Sequence, residues 1–134
     1  MSDMAGPQRQ GLSRDNPWPG LDPFDETDRE YFHGRAAEAG ELLRLVRREP
    51  LTVLFGRSGL GKTSLLKAGL FPLLRAEDCL PVYLRLDHAE GAPALREQVF
   101  RGLQATCAAE RVQPAQAAGD ESLWSFSHRR DAEF

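Results

Sequence analysis

The sequence of 134 residues lacks the features that would direct it to a membrane, a nucleic acid or a secretory route. No apolar run approaches the roughly 20 residues that a membrane-spanning helix needs. The stretch Met1–Gln10 is polar and has no apolar core of a signal peptide. The net charge of −3 provides no field that would attract DNA, RNA or an anionic lipid surface. We therefore expect a cytoplasmic protein with no nucleic-acid or membrane partner.

Cysteine is also scarce, because the chain has only Cys79 and Cys107. They form no C-x-x-C pair and have no histidine at metal-ligand spacing. The three histidines, His33, His88 and His128, are scattered, and none is paired with a cysteine, a serine or a second ligand. The sequence thus disfavours a disulfide framework, a zinc site and histidine-based catalysis.

The N-terminal third combines polar, proline-rich and helical segments. Residues 1–15 are rich in Gly, Gln, Arg and Ser, a composition that predicts a disordered lead-in. Asn16–Phe24 has three prolines among three large apolar side chains, which indicates an extended strap laid over a hydrophobic surface. Asp25 is suited to cap a short helix over about Glu26–Phe32. The apolar spacing predicts a second helix over Ala36–Arg48.

The middle of the chain alternates between strand-like and helical patterns, which predicts an α/β fold. The short apolar run Leu51–Phe55 is typical of a strand buried on both faces of a parallel sheet. Pro81–Leu86 predicts a second strand. Between them, a helix should follow Gly61 and end or kink near Leu70, because Pro72 cannot donate a helical hydrogen bond. The expected fold class is a P-loop NTPase core with an incomplete parallel sheet and flanking helices.

The last third is predicted to be helical. Leu95, Val99 and Leu103 recur at helical spacing, and Glu97 and Arg101 are placed for an i,i+4 ion pair. We expect a linker over 112–120 and a further helix over 121–134. Two parallel strands do not make a covered sheet by themselves. Residues 16–134 are therefore expected to be the N-terminal portion of a larger domain.

Eight consecutive residues, Gly56-Arg57-Ser58-Gly59-Leu60-Gly61-Lys62-Thr63, match the Walker A pattern G-x-x-x-x-G-K-[ST] at every required position. Such a loop surrounds a triphosphate with backbone N–H donors, and its glycines allow the unusual backbone angles and close approach. The N-terminus of the following helix adds further N–H groups and partial positive charge.

This motif predicts binding of ATP with Mg²⁺. Lys62 should reach the β- and γ-phosphates and is the catalytic candidate, and the Thr63 hydroxyl is the expected Mg²⁺ ligand. We include Ser64, the next residue, in the predicted nucleotide-binding set together with all residues from Gly56 to Thr63.

Three motifs in order resemble the first of the novel STAND NTPase families, which are signalling P-loop NTPases. They are the strap Asn16–Phe24, the element Tyr31-Phe32-His33-Gly34-Arg35, and the P-loop followed by Ser64–Leu70. The resemblance covers about residues 16–86, with looser similarity to residue 134. It implies a P-loop NTPase domain whose ATP binding and hydrolysis switch a regulatory assembly, with self-association in the intact protein.

The resemblance also implies a base-binding role for Phe32, Gly34 and Arg35, which in relatives lie against the adenine and ribose. The alternative is a helix-ending glycine followed by a surface arginine. The sequence departs from the family pattern in one respect, because no apolar strand ending in paired acids follows Lys62. The nearest candidate, Val82–Asp87, is interrupted by an arginine and ends in one acid. We therefore expect a domain truncated before the Walker B strand, with little ATP hydrolysis by this chain alone.

Two other hypotheses remain open from the sequence. One is a small P-loop kinase or other phosphoryl-transfer enzyme that uses Asp87 as metal partner or base. The other is a truncated fragment without function. The sequence leaves the choice between ATP and GTP open as well.

Overall fold

The computed structural model describes residues 11–113, 119, 121, 122 and 125. Most of the predicted lead-in and linker, and nearly all of the predicted helix over 121–134, lie outside these residues. The described residues fall into two compact units that divide between Pro81 and Val82.

The described part of the chain is built from helices. A 3-10 helix, Glu26–Tyr31, precedes helix α1, Ala36–Arg48. Helix α2 consists of three consecutive parts, which are Lys62–Ser64, a π-helical turn at Leu65–Leu70, and Phe71–Arg75. Helix α3, Leu95–Glu110, belongs to the second unit.

The predicted α/β fold is wrong, because none of the described residues forms a strand or a sheet. The run Leu51–Phe55 was expected to be buried on both faces. Instead Leu51 is 78% exposed and Phe55 is 86% exposed. Pro81–Leu86 is likewise not a strand. A strand exists only when a neighbouring strand accepts and donates its backbone hydrogen bonds, and the apolar composition of a segment does not supply that neighbour.

The start of the 3-10 helix confirms the predicted cap at Asp25. Its carboxylate accepts a hydrogen bond from the backbone N–H of Glu26 at 2.8 Å. The buried Asp28 accepts one from the backbone N–H of Asp25 at 2.7 Å, which completes a reciprocal capping box. The prediction of helix α1 over Ala36–Arg48 is also confirmed.

Pro72 was expected to end or kink α2 near Leu70, and the helix is distorted there but does not end. The helix widens before the proline, so that the backbone N–H of Phe71 bonds to the carbonyl of Leu66, five residues earlier. The wider turn accommodates a residue that has no N–H to donate and whose ring would collide with the preceding turn of a regular α-helix. The helix therefore continues to Arg75.

The core of the first unit joins α1 to α2. Its buried members are Ala39 and Leu42 from α1, and Leu65 and Leu70 from α2. Gly69 allows the close approach, since a side chain there would lie 3.2 Å from the Cβ of Ala39. The packing fixes the N-terminal part of α2 against α1.

The second unit is organised around α3. The predicted ion pair between Glu97 and Arg101 is confirmed. The side chain of Gln98 accepts a hydrogen bond from the backbone N–H of Asp87 at 2.7 Å and donates one to its carbonyl at 2.9 Å. These bonds attach the loop before the helix to the helix itself. Among the described residues, no helix is long and apolar enough to cross a membrane.

Candidate functional site

The segment matching the P-loop pattern is an exposed turn that leads directly into α2. Gly59 has a φ of 83° and Gly61 has a φ of 75°, values in the left-handed region that side chains disfavour. The backbone N–H of Leu65 bonds to the carbonyl of Gly61 at 2.8 Å, which places the first turn of α2 at the end of the loop. The amides of that first turn have no acceptor within the helix, as at any helix N-terminus.

The Lys62 ammonium lies across the loop that precedes it. Its Nζ atom donates hydrogen bonds to the carbonyl of Gly56 at 2.9 Å and to the carbonyl of Arg57 at 2.8 Å. A Cβ atom at Gly56 would lie 3.2 Å from the Leu60 side chain and 3.8 Å from the Lys62 side chain, so a larger residue there would require the Leu60 side chain to shift. The charged group, the glycine backbone and the helix start thus lie together.

The two residues after the lysine differ in their surroundings. Thr63 is half-buried, and Ser64 is buried. The hydroxyl of Ser64 accepts a hydrogen bond from the backbone N–H of Phe24 at 3.0 Å. Ser64 therefore attaches the end of the proline-rich strap to the first turn of α2.

The predicted base-side residues lie close to these elements. The ring of Phe32 is 5.5 Å from that of Phe24, and its edge faces Gly69 of α2. Gly34, at a φ of 83°, turns the chain from the 3-10 helix toward α1. An open groove of about 210 Å³ is found beside Phe32. It is lined by Pro17, Trp18, Phe24, Tyr31, Phe32 and His33. The proline-rich strap packs only partly against the rest of the unit, since Trp18 is 72% exposed.

Arg35 contacts the loop that matches the P-loop pattern, residues 56–61. Its Nη1 donates to the carbonyl of Leu60 at 2.7 Å. Its other two donor atoms, Nε and Nη2, bond to the two carboxylate oxygens of Glu38 at 2.7 and 3.0 Å. Glu38 was not among the predicted site residues, although its position three residues after Arg35, at the start of a predicted helix, is the spacing of an ion pair.

We expect the Glu38 carboxyl to titrate below its ordinary value. The hydrogen bonds from Arg35 hold the pKa of Glu38 below that of an ordinary glutamate. Because the folded-state pKa is lowered, the ion pair is present above the ordinary glutamate pKa and is lost as the pH falls through the lowered pKa. An NMR titration of the Glu38 side-chain carboxyl carbon measures this midpoint, and Arg35→Ala should return it to the ordinary value. An identical midpoint in the two proteins would contradict the ion pair.

The acid considered for a kinase-like role, Asp87, has a local structural partner. Its carboxylate accepts a hydrogen bond from the backbone N–H of Ala89 at 2.9 Å, which forms a turn after residue 86. Within the described ranges, no group of three or more His, Cys, Asp or Glu side chains is arranged as a metal site.

Comparison with protein families identifies a match that covers most of the chain. The family model described as Novel STAND NTPase 1 matches residues 17–131. Comparisons with curated proteins and with solved structures found no match.

Proposed function

Because this chain belongs to the Novel STAND NTPase 1 family, we propose that it binds the phosphates of a nucleoside triphosphate, ATP in the first instance, through residues 56–64. One observation carries the proposal. The complete Walker A sequence adopts a glycine turn that ends at the first turn of α2, with the lysine ammonium folded over it. A triphosphate needs amide donors and a cation close together, and the loop offers both.

The phosphates would replace the carbonyl oxygens that the Lys62 ammonium contacts. An ammonium bound only to carbonyls retains its full charge, and an anionic oxygen is a stronger acceptor than a neutral carbonyl. Lys62 therefore exchanges weaker bonds for stronger ones when a phosphate enters. Gly59 and Gly61 permit the close approach that their neighbours' amides require.

Mg²⁺ fits this proposal through Thr63, whose hydroxyl is the oxygen ligand that the motif supplies. A bound Mg²⁺ would neutralise charge between phosphates. Ser64 belongs to the proposed set through its position in the first turn of α2, where its backbone N–H can face an anion. Its hydroxyl is already bonded to the backbone of Phe24.

For the base side of the nucleotide, we retain Phe32, Gly34 and Arg35 as proposed contacts. The aromatic groove supports the choice of Phe32, since it provides apolar surface beside that ring in the same unit as the loop. Hydrolysis, signalling and self-association are further proposals, supported by the family name and the motif resemblance.

Isothermal titration calorimetry tests the proposal and its metal dependence. We expect the full chain to bind Mg-ATP at a single site and to bind more weakly when EDTA removes the metal. Thr63→Val should reduce the difference between the two titrations, because it removes the hydroxyl and keeps the side-chain volume. Replacing ATP by GTP or by inorganic triphosphate separates base recognition from phosphate binding. If neither nucleotide nor triphosphate gives a binding heat or raises the melting midpoint, the proposal is wrong.

A further inference from the structure

We propose that Glu38 and Arg35 are positioning residues that hold the Leu60–Gly61 peptide of the phosphate loop in its binding conformation. The inference rests on the proposed function, and it adds Glu38, a residue outside the Walker A motif. It derives from two hydrogen bonds between Arg35 and Glu38 at the start of α1, and from a third that joins Arg35 to the carbonyl of Leu60 in the loop before α2.

The backbone at the start of α1 fixes where the two side chains begin. The carbonyl of Arg35 accepts the first hydrogen bond of α1, from the N–H of Ala39 at 3.0 Å. Glu38 lies in the first turn of that helix, three residues later, so the two side chains share one face. Ala39 is also part of the core between α1 and α2, so Arg35 and Glu38 begin from the packed part of the first unit.

The fork of Arg35 then determines the direction of one peptide in the loop. Nε and Nη2 donate hydrogen bonds to the Glu38 carboxylate, and Nη1 donates one to the carbonyl of Leu60. In a trans peptide the carbonyl and the following N–H point in opposite directions. With the Leu60 carbonyl held toward Arg35, the N–H of Gly61 is turned away from Arg35. Gly61 cannot carry a side chain beside this contact, because a Cβ would lie 3.2 Å from Nη1.

A single exposed ion pair adds little to global stability, so the consequence should be local. Glu38 has a side-chain exposure of 53%, and Arg35 of 32%. Losing one orienting contact should therefore loosen the loop and weaken nucleotide binding, while the melting midpoint hardly changes. Weaker nucleotide binding at an unchanged melting midpoint distinguishes a positioning role from a structural one.

The same helix provides a matched control. Glu41 and Arg44 form an equivalent two-point pair at i,i+3 spacing, with distances of 2.9 and 2.6 Å. The Arg44 guanidinium has no described bond to the phosphate loop. Glu41→Gln thus repeats the chemistry of Glu38→Gln one turn further along α1.

The test compares the two glutamine variants in the full chain by NMR and calorimetry. In the nucleotide-free protein, Glu38→Gln should lower the backbone order parameters of Leu60 and Gly61 from about 0.85 toward 0.6, whereas Glu41→Gln should not. Mg-ATP should bind Glu38→Gln about twofold to tenfold more weakly, the effect of one hydrogen bond. In the same nucleotide-free measurement, Arg35→Lys, which keeps the charge but loses the two-point fork, should loosen Leu60 and Gly61 as Glu38→Gln does.

Equal order parameters in Glu38→Gln and Glu41→Gln would show that the Glu38–Arg35 pair does not hold the Leu60–Gly61 peptide, whether or not the protein binds nucleotide. A looser loop with unchanged affinity for Mg-ATP would overturn its positioning role. Failure of the unmodified chain to bind Mg-ATP would refute the proposed function instead. The order parameters would still show whether Glu38 and Arg35 hold the Leu60–Gly61 peptide.

Discussion

Replacing Lys62 by alanine is expected to weaken the binding of Mg-ATP by about tenfold to 150-fold. The ammonium is the one full charge that the motif places on the β- and γ-phosphates, and a hydrogen bond to a charged group contributes about 1.5–3 kcal/mol. In the free protein its partners are the carbonyls of Gly56 and Arg57, which the loss leaves exposed to water. The fold should therefore be unaffected. Calorimetric titration of the variant measures the effect.

Lys67, the only other lysine of the chain, provides a control for the loss of one positive charge. Lys67 lies in the same helix and forms an ion pair with Asp25 at 3.6 Å. Lys67→Ala removes the same charge from the protein but no group from the loop. We expect its affinity for Mg-ATP to change by about twofold or less. Equal weakening in the two variants would mean that net charge, not the Lys62 contact, governs binding.

Replacing Leu65 by alanine is expected to lower the free energy of unfolding of the first unit by about 2–5 kcal/mol. Leu65 is only 4% exposed and packs with Ala39, Leu42 and Leu70 between α1 and α2. The truncation leaves a cavity directly behind the first turn of α2, so nucleotide binding should weaken with it. Urea unfolding followed through the NMR signals of α1 measures the loss in this unit.

Leu51→Ala is the informative comparison for that variant. Leu51 is 78% exposed, so its truncation should change the free energy of unfolding by no more than about 0.5 kcal/mol. The same experiment addresses the corrected fold, because the sequence pattern had predicted a buried strand at this position. A loss as large as that of Leu65→Ala would contradict the structure around residues 51–55.

The sequence predicted those parts of the fold that depend on neighbouring residues. The cap at Asp25 and the ion pair of Glu97 with Arg101 each arise within about one turn of helix, and the bounds Ala36–Arg48 follow from the apolar spacing along one segment. The sheet was predicted from short apolar runs and from their alternation with helical patterns. Burial depends on what packs against a segment, and the segment's own sequence does not contain that information.

The candidate site divides in the same way. The Walker A residues 56–63 are consecutive in the chain, so their glycines and lysine could be recognised as one motif from the sequence. The contact of Arg35 with Leu60 spans 25 residues, and that of Phe24 with Ser64 spans 40. Such contacts depend on how α1 and α2 pack, which no local pattern specifies. The width of the turn before Pro72 was missed for a related reason, since the usual rule assumes a regular α-helix.

Mapping amide chemical shifts during a titration with Mg-ATP tests the central claim most directly. We predict that the largest changes occur at residues 56–64, led by Gly59, Gly61 and Lys62, and that they are absent in Lys62→Ala. Saturating Mg-ATP that leaves these amides unmoved, or that shifts only residues 82–113, would contradict the account.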